Sequence, residues 1–422
     1  MSRLIFHVDV NSAFLSWEAV KRVREGGDDL RLIPSAICGD VEKRAGIILA
    51  KSIPAKKFGV RTGEPVIMAL RKCPDLVLAK PDFMLYSRCS HDFVAILREY
   101  APVVEQFSID ECFLDMTGTG LIYPDPLKTA HEIKDKIRDE LGFTVNIGIG
   151  ENKLCAKMAS DFEKPDRVHT LFPAEIPEKM WSLPIGDLFG IGGSTAERLE
   201  RAEIRTIGQL ARCDLAIIQS LVGVKAGIAL HNSANGIDDS PVSDQPEDSK
   251  CYSISTTVPH DITRTDDAHR VLLALADSVC SRMRADNFMC RCVSVSIRTS
   301  SFKNRSHQTT IDATDITNEI FELSKKLFDE LWDKKTPLRL LGIALSDLTR
   351  ERTVQLSLFY DESDEIARER SRKLDRTVDD IRKKFGHSTI ILGVPPEKEV
   401  GKKYQAQLDE RRKETSNDKL NR

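Results

Sequence analysis

From Pro184 to about Gly236 the chain carries no β run; short helical stretches are separated by Gly-containing turns. On either side the pattern differs, with short β-rich runs set between helical periodicities. A chain of 422 residues that changes pattern in this way is too long for one ordinary core, and several domains are expected. In the first 165 or so residues, Leu4–Val8, Gly46–Ala50, Leu76–Ala79, Val103–Phe107, Cys112–Met116 and Phe143–Ile149 carry strand patterns. Asp82–Tyr100 and Pro126–Leu141 carry amphipathic helix patterns between them. Strands in pairs around helices predict an α+β layer with helices on one face. Ile237 to Lys250 is polar and Pro-containing and reads as a linker. A second α+β segment follows from Cys251 to about Arg350. Beyond it the chain is charged and sparse in aromatics, which predicts a mostly flexible tail with one helix at Ile366–Phe385.

Composition enters here mainly to exclude. The chain is 41% hydrophobic and 30% charged, an ordinary balance for a soluble globular protein. No apolar stretch approaches the roughly 20 residues needed to span a bilayer, and the N-terminus has no signal-peptide pattern, so a cytoplasmic protein without a membrane partner is expected. The ten cysteines form no CxxC pair; Cys290 and Cys292 alternate along a strand pattern and suit neither a zinc site nor a disulfide. The net charge of −3 argues mildly against a nucleic-acid partner, so local patches must make that case. One exists. Between residues 282 and 305, Arg282, Arg284, Arg291, Arg298, Lys303 and Arg305 meet only Asp286. Within it, Cys292–Arg298 alternates as a half-buried strand with Ser294, Ser296 and Arg298 on the open face, a surface better suited to phosphates than to reading bases.

Asp9 ends the first strand pattern, in His7-Val8-Asp9-Val10-Asn11. Asp110 and Glu111 lie at a second strand pair, in Phe107-Ser108-Ile109-Asp110-Glu111-Cys112-Phe113-Leu114-Asp115. Carboxylates between packed strands are costly without a positive partner, and three together repel one another. Mg²⁺ removes the conflict, because it favours a few carboxylates together with substrate phosphates. Two such ions can polarise an attacking hydroxyl and stabilise a leaving pyrophosphate. Taken singly, each acid could equally be a turn carboxylate at a strand end; the other parts decide.

His-Val-Asp-Val-Asn-Ser-Ala-Phe followed by Ser-Ile-Asp-Glu-Cys-Phe-Leu-Asp resembles the two metal-binding motifs of Y-family DNA polymerases, most closely the bacterial polymerase IV branch. The resemblance runs from residue 3 to about residue 350 in the family's motif order. It implies a multidomain right-hand α+β fold: a ferredoxin-like palm (1–12 and 79–166), small fingers (13–78), an all-α helix-hairpin-helix thumb (167–236), the linker (237–250), an α+β little finger (251–350) and a tail (351–422). It also implies that Asp9, Asp110 and Glu111 with the Val10 carbonyl hold two Mg²⁺ ions. The implied activity is low-fidelity, lesion-bypassing transfer of deoxynucleotides from their triphosphates to a primer 3′-OH on template DNA, by a monomer without a proofreading segment.

The same resemblance makes Phe14 a steric gate that leaves no room for a ribose 2′-OH, although core packing with Trp17 at i+3 competes with that role. The family's usual aromatic before the gate is Ala13 here. In Lys51-Ser52-Ile53-Pro54-Ala55-Lys56 the family's Tyr and Arg, which grip the triphosphate, are replaced by Ile53 and Lys56. Lysine keeps the charge but loses the planar fork, so weaker or altered nucleotide binding is expected. Lys164, just before Pro165, matches a lysine that contacts triphosphate, while Lys157 is as readily a solvated surface charge. Leu188-Phe189-Gly190-Ile191-Gly192-Gly193 resembles a helix-hairpin-helix turn, in which Gly190 and Gly192 let the backbone approach DNA phosphate; Leu221–Gly227 is either a degenerate second copy or another turn. Arg291, Arg298 and Arg305 are the little-finger candidates for DNA contact. Gln355-Leu356-Ser357-Leu358-Phe359 resembles the short motif by which bacterial replication proteins dock on the sliding clamp, with Gln355, Leu356, Leu358 and Phe359 as its contact residues. Two other readings compete: a non-catalytic DNA-binding relative, opposed by the intact acids, and another two-metal palm enzyme such as a nucleotide cyclase, opposed by the thumb turn and the basic patch.

Overall fold

The fold comes from a computed structural model that describes residues 3–39, 46–245, 248–351, 362–386 and 389–392. These fall into two compact units, one ending at 245 and one starting at 248. The first opens with β1 (Ile5–Val10), α1 (Ala13–Arg24), β2 (Ser35–Cys38), β3 (Ile48–Lys51), α2 (Ile53–Lys57), α3 (Val66–Lys72) and β4 (Val77–Ala79). It continues through α4 (Phe83–Arg98), β5 (Val103–Gln106), β6 (Glu111–Asp115), α5 (Pro126–Leu141), β7 (Val145–Gly150), α6 (Lys153–Asp161) and β8 (Val168–Leu171). A helical segment completes it: α7 (Ile176–Lys179), α8 (Gly193–Arg201), α9 (Ile207–Arg212), α10 (Leu215–Val222) and α11 (Val224–Ala234).

The main sheet has the order β5-β6-β1-β7-β8, with β1 antiparallel to both neighbours. Side chains alternate across a strand, so β1 serves two layers. Phe6, Val8 and Val10 point into a core with Trp17, Tyr86, Phe93, Ile133 and Ile137 of α1, α4 and α5. Ile5, His7 and Asp9 face the other way, toward α6. Helix α6 lies close against β7 because Gly148 and Gly150 have no side chains there: a Cβ on Gly148 would sit 2.0 Å from the Ala156 carbonyl oxygen. A smaller sheet, β3-β2-β4, covers its own core of Ala36, Ile48, Ala55, Val60, Val66 and Ala69. β2 and β8 have no counterpart among the strand patterns. β2 is four buried residues with no alternation to betray them.

The polar stretch expected as a linker is fastened to this unit over its first half. Asp238 accepts a hydrogen bond from Leu154 N (3.1 Å), Arg3 donates to the Ser240 carbonyl (2.7 Å), and Ser243 N donates to Glu105 (2.9 Å). Val242 is buried with Ile5, Phe113 and Ala156.

The second unit is a four-stranded antiparallel sheet, order β11-β10-β12-β9, built from β9 (Cys251–Ile262), β10 (Met289–Thr299), β11 (Asn304–Thr314) and β12 (Leu338–Thr349). α12 (Thr265–Ala285) and α13 (Thr317–Leu331) bury one sheet face in a shared core that includes Val293, Val295 and Ile297. The last helix, α14 (Glu362–Phe385), contains the helix expected at Ile366–Phe385 and begins four residues earlier. It is longer than expected and docks on this unit through ion pairs: Arg368–Glu319 (2.7 Å), Arg372–Asp315 (3.2 Å), Asp379–Arg284 (2.7 Å) and Arg382–Asp277 (2.8 Å). Its buried face carries Arg372 and Arg382, with Val378 as the buried aliphatic residue. A helix face without an apolar stripe gives no periodic signal of burial, which is why the sequence pattern reads as solvated.

Candidate active site

Register brings the first two acids together. Asp9 on β1 pairs with Glu111 on β6, so both side chains rise from the same face toward α6. Residues next to each other in a strand point to opposite faces, and Asp110 precedes β6 in the turn. Its backbone carbonyl accepts from Val10 N (3.0 Å), tying the end of β1 to the turn, and its side chain accepts from Ser108 Oγ (2.6 Å). Among the described residues no group of three His, Cys, Asp or Glu side chains converges in metal-binding geometry. The structure therefore joins Asp9 to Glu111 and leaves the Asp110 carboxylate in the adjoining turn.

Two lysines neutralise the pair. Lys157 Nζ lies 2.7 Å from Glu111 and 3.3 Å from Asp9, and Lys164 Nζ lies 3.1 Å from Asp9. Asp161 completes the cluster, 2.8 Å from Lys164 and 3.5 Å from Lys157. Burial alone would lower both ammonium groups, but the surrounding carboxylates outweigh it and hold them raised. Burial pushes Asp9 up to about 7. It pushes Glu111 the same way, but His7, Asp9 and Lys157 outweigh it and hold Glu111 below the usual carboxylate range. Of the two, Glu111 is the one that keeps its charge. His7 is buried beneath them, its Nδ1 2.8 Å from Ser160 Oγ and its Nε2 directed at Glu111 from 3.8 Å. Burial pushes its imidazole down to about 4, so it is neutral near pH 7. Lys157 had no assigned role in the sequence. The four-residue spacing that put Leu154 and Met158 on one face gave no hint that Lys157 reaches two acids 46 and 148 positions away.

The donor set fits a hard cation. It is all carboxylate oxygen, with two facing carboxyl groups on neighbouring strands, an adjoining third, and burial that opposes ionisation until positive charge is supplied.

Ser12, at φ 50°, turns the chain from β1 into α1 and sets Phe14 at the rim. The Phe14 ring is half-buried and stacks on Tyr86 (centroids 4.6 Å, planes 9° apart), with Phe83 edge-on at 6.0 Å. Trp17 takes the core position, fully buried. Tyr86 is the partner that the sequence did not disclose, and Ala13 is buried beside it in the same core. On α2, Ile53 and Lys56 are exposed, and the helix start is capped by Ser52, which accepts from Ala55 N (3.1 Å). Lys51 donates to Thr62 (3.2 Å); burial, and then the charge of Lys56, hold its ammonium below the ordinary range.

Gly190 (φ +92°) and Gly192 form the turn into α8, and neither has any atom within 4 Å of where a Cβ would stand. The first amides of α8 have no partners inside the helix. Gly223, also at φ +92°, makes a similar open turn between α10 and α11. In the second unit Arg298 lies on the open sheet face with Ser294 and Ser296, donating to Asn304 (2.7 Å), and Arg291 sits at a β-bulge between Cys290 and Cys292. Arg305 is exposed and pairs with Ile297, whose side chain is in the core, so it projects from the side of the edge strand opposite to Arg298. Gln355, Leu356, Leu358 and Phe359 lie outside the described residues.

The sheet carries paired acids beside a stacked aromatic pair, and a helical segment with open Gly turns follows it; comparison gives the class of this fold. Over 82% of this chain and all of the other, the fold matches a Y-family DNA polymerase chimera with a TM-score of 0.71 at 21% identity. The impB/mucB/samB family model matches residues 8–161, its C-terminal domain 249–358, and a DNA polymerase-iota thumb domain 186–238. DNA polymerase IV of Clostridium acetobutylicum is 44% identical over 94% of this chain and 100% of its own length. DNA polymerase IV of Acetivibrio thermocellus is 37% identical over 93% and 98%, and DNA polymerase IV 1 of Bacillus subtilis 36% identical over 95% and 95%. The chain belongs to the DNA polymerase IV family, DNA-directed DNA polymerases of the Y-family fold.

Proposed function

We propose that the chain extends a primer 3′-OH across damaged templates, with low fidelity, using two Mg²⁺ ions, and is recruited by the sliding clamp. The observation that carries this reading is the Asp9–Glu111 pair, which is held on one sheet face and bridged by Lys157. We assign the palm to 1–12 and 79–166, the fingers to 13–78, the thumb to 167–236 and the little finger to 251–350, with α14 an added part of that last domain. Asp9, Glu111, the adjoining Asp110 and the Val10 carbonyl would hold the metal. When bound, the ions supply the charge that activates the primer hydroxyl and stabilises the leaving pyrophosphate.

The chain's own residues do the rest by position and field. Lys164 and Lys56 bind triphosphate oxygens, and Lys157 keeps the carboxylates together between turnovers. Phe14, with Tyr86 stacked beneath it, fills the space a 2′-OH would need. The amides at Gly190 and Gly192 hold primer phosphates, and Arg291, Arg298 and Arg305 add backbone contacts. Gln355–Phe359 docks on the clamp, which keeps the enzyme at high effective concentration near the primer end. Primer extension with Mg²⁺ on undamaged and abasic templates tests the reading, with Glu111→Gln as control. Extension past the abasic site that disappears in Glu111→Gln is expected. Extension that survives in Glu111→Gln would overturn the site assignment, and no extension by the wild-type chain would overturn the function.

A further inference from the structure

Two large apolar rings stand half in water beside the catalytic turn. Phe107 is 47% exposed and Phe189 is 42% exposed, and their centroids are 6.2 Å apart at an interplanar angle of 64°. Phe107 opens the turn that carries Asp110: its N–H and that of Ser108 both donate to the Glu111 carbonyl, at 2.9 and 3.1 Å. Phe189 belongs to the Gly190–Gly192 turn, and its N–H points at Met158 Sδ (3.3 Å), one residue along α6 from Lys157. Beneath Phe107 the rings continue inward. Phe113 is buried, edge-on to Phe107 at 5.5 Å, and His7 lies 4.6 Å beyond it. A row of four rings thus runs from the floor of the site to the thumb turn, and its last contact is open to solvent.

We propose that Phe107 and Phe189 are positioning residues: they form an aromatic clasp that sets the thumb turn on the catalytic turn, and so aligns the primer terminus with Asp9 and Glu111. The inference rests on the reading that the Gly190–Gly192 turn holds primer phosphates. If one turn holds the primer backbone and the other carries the acids, their spacing sets where the 3′-OH lies. A misplacement of about 1 Å can cost of order 10²-fold in rate. A single edge-on ring pair is weak, worth about two- to tenfold in an equilibrium. It favours the aligned arrangement and still lets the thumb release DNA as the enzyme steps.

The test uses the full chain on a primer-template duplex, comparing wild type, Phe107→Ala, Phe189→Ala, the double variant and Phe189→Tyr. The readouts are single-turnover incorporation rate at saturating nucleotide and DNA, DNA affinity, and thermal midpoint. Both rings are half exposed, so truncation opens no buried cavity and the thermal midpoint should hold. A rate loss of about two- to tenfold is expected in each single variant, with no further loss in the double, because there is one contact to lose. Phe189→Tyr should restore the rate. Losses that multiply in the double, an unmoved rate, failure of Tyr to rescue, or a rate loss that tracks a fall in thermal midpoint would each overturn the clasp. Gly192→Val separates this from the underlying reading. A Cβ at Gly192 meets nothing in the protein, so a bulkier residue should weaken DNA binding alone. If DNA affinity is unmoved in Gly192→Val, the thumb-turn reading fails; if it falls while the ring variants multiply, only the clasp fails.

Discussion

Arg382→Met should unfasten the last helix at a cost that the structure allows us to size. Arg382 is fully buried, and its partner Asp277 on α12 is 3% exposed, with Nη1 2.8 Å from Oδ1. The remaining guanidinium nitrogens donate to the Ile390 carbonyl, at 3.1 Å from Nε and 2.8 Å from Nη2. Methionine keeps much of the volume but leaves the Asp277 carboxylate in the core without its guanidinium. Removing one partner of a buried pair typically costs about 3–5 kcal/mol. For a unit of this size each kcal/mol moves a midpoint by about 2–4 °C, so a fall of about 6–20 °C is expected. Replacing both partners, Asp277→Leu with Arg382→Met, removes the carboxylate that has lost its guanidinium and should recover most of the loss. The assay is thermal and urea unfolding of the full chain, with the second unit's transition followed separately, since two units need not unfold together. A single variant within about 1 kcal/mol of wild type would refute the idea that ion pairs fasten α14. A double variant as unstable as the single would show that lost packing, and not the broken ion pair, causes the damage.

The remaining predictions concern catalysis and recruitment. Asp110→Ala should abolish primer extension while leaving DNA affinity near wild type, measured by gel extension and fluorescence anisotropy; substantial turnover would remove Asp110 from the metal-binding set. Phe14→Ala should admit ribonucleotides far more readily, read as the ratio of kcat/KM for deoxy- and ribonucleoside triphosphates, and an unchanged ratio would return Phe14 to a packing role. Lys56→Arg should tighten nucleotide binding by on the order of fivefold, about 1 kcal/mol, because a guanidinium can bind phosphate with two parallel hydrogen bonds; flat or weaker affinity in a nucleotide titration would mean that the fingers hold the triphosphate in another way. Leu358→Ala with Phe359→Ala should remove stimulation by loaded clamp and leave clamp-free extension intact, and stimulation that persists would sink the docking assignment.

The chain's local chemistry set individual elements of both units without help from the fold. α5 spans Pro126–Leu141 as expected, because Asp125 caps its start, Pro126 suits the first helical turn, and Gly142 closes it at φ +85°. The alternation in Cys292–Arg298 was enough to place Val293, Val295 and Ile297 in the core, with Ser294, Ser296 and Arg298 opposite. Those signals are local, since side-chain period and capping involve residues within a turn of one another. What only tertiary structure decided depends on contacts between distant positions. Pairing register set Asp9 against Glu111, and the bare backbone at Gly148 let α6 approach closely enough for Lys157 to bridge them. Phe14 found Tyr86, 72 positions on, by stacking, and Arg305 was turned away from Arg298 by strand parity. α14 shows the limit most plainly. Its packed face is Arg and Asp around a single buried valine, Val378, and sequence periodicity treats such charges as solvent-facing. Only the acids waiting at Asp277, Asp315 and Glu319, together with Arg284, convert those charges into a buried interface. Hydrophobic burial leaves a periodic trace along the chain, whereas an ion pair 105 residues apart leaves none until both partners are in place.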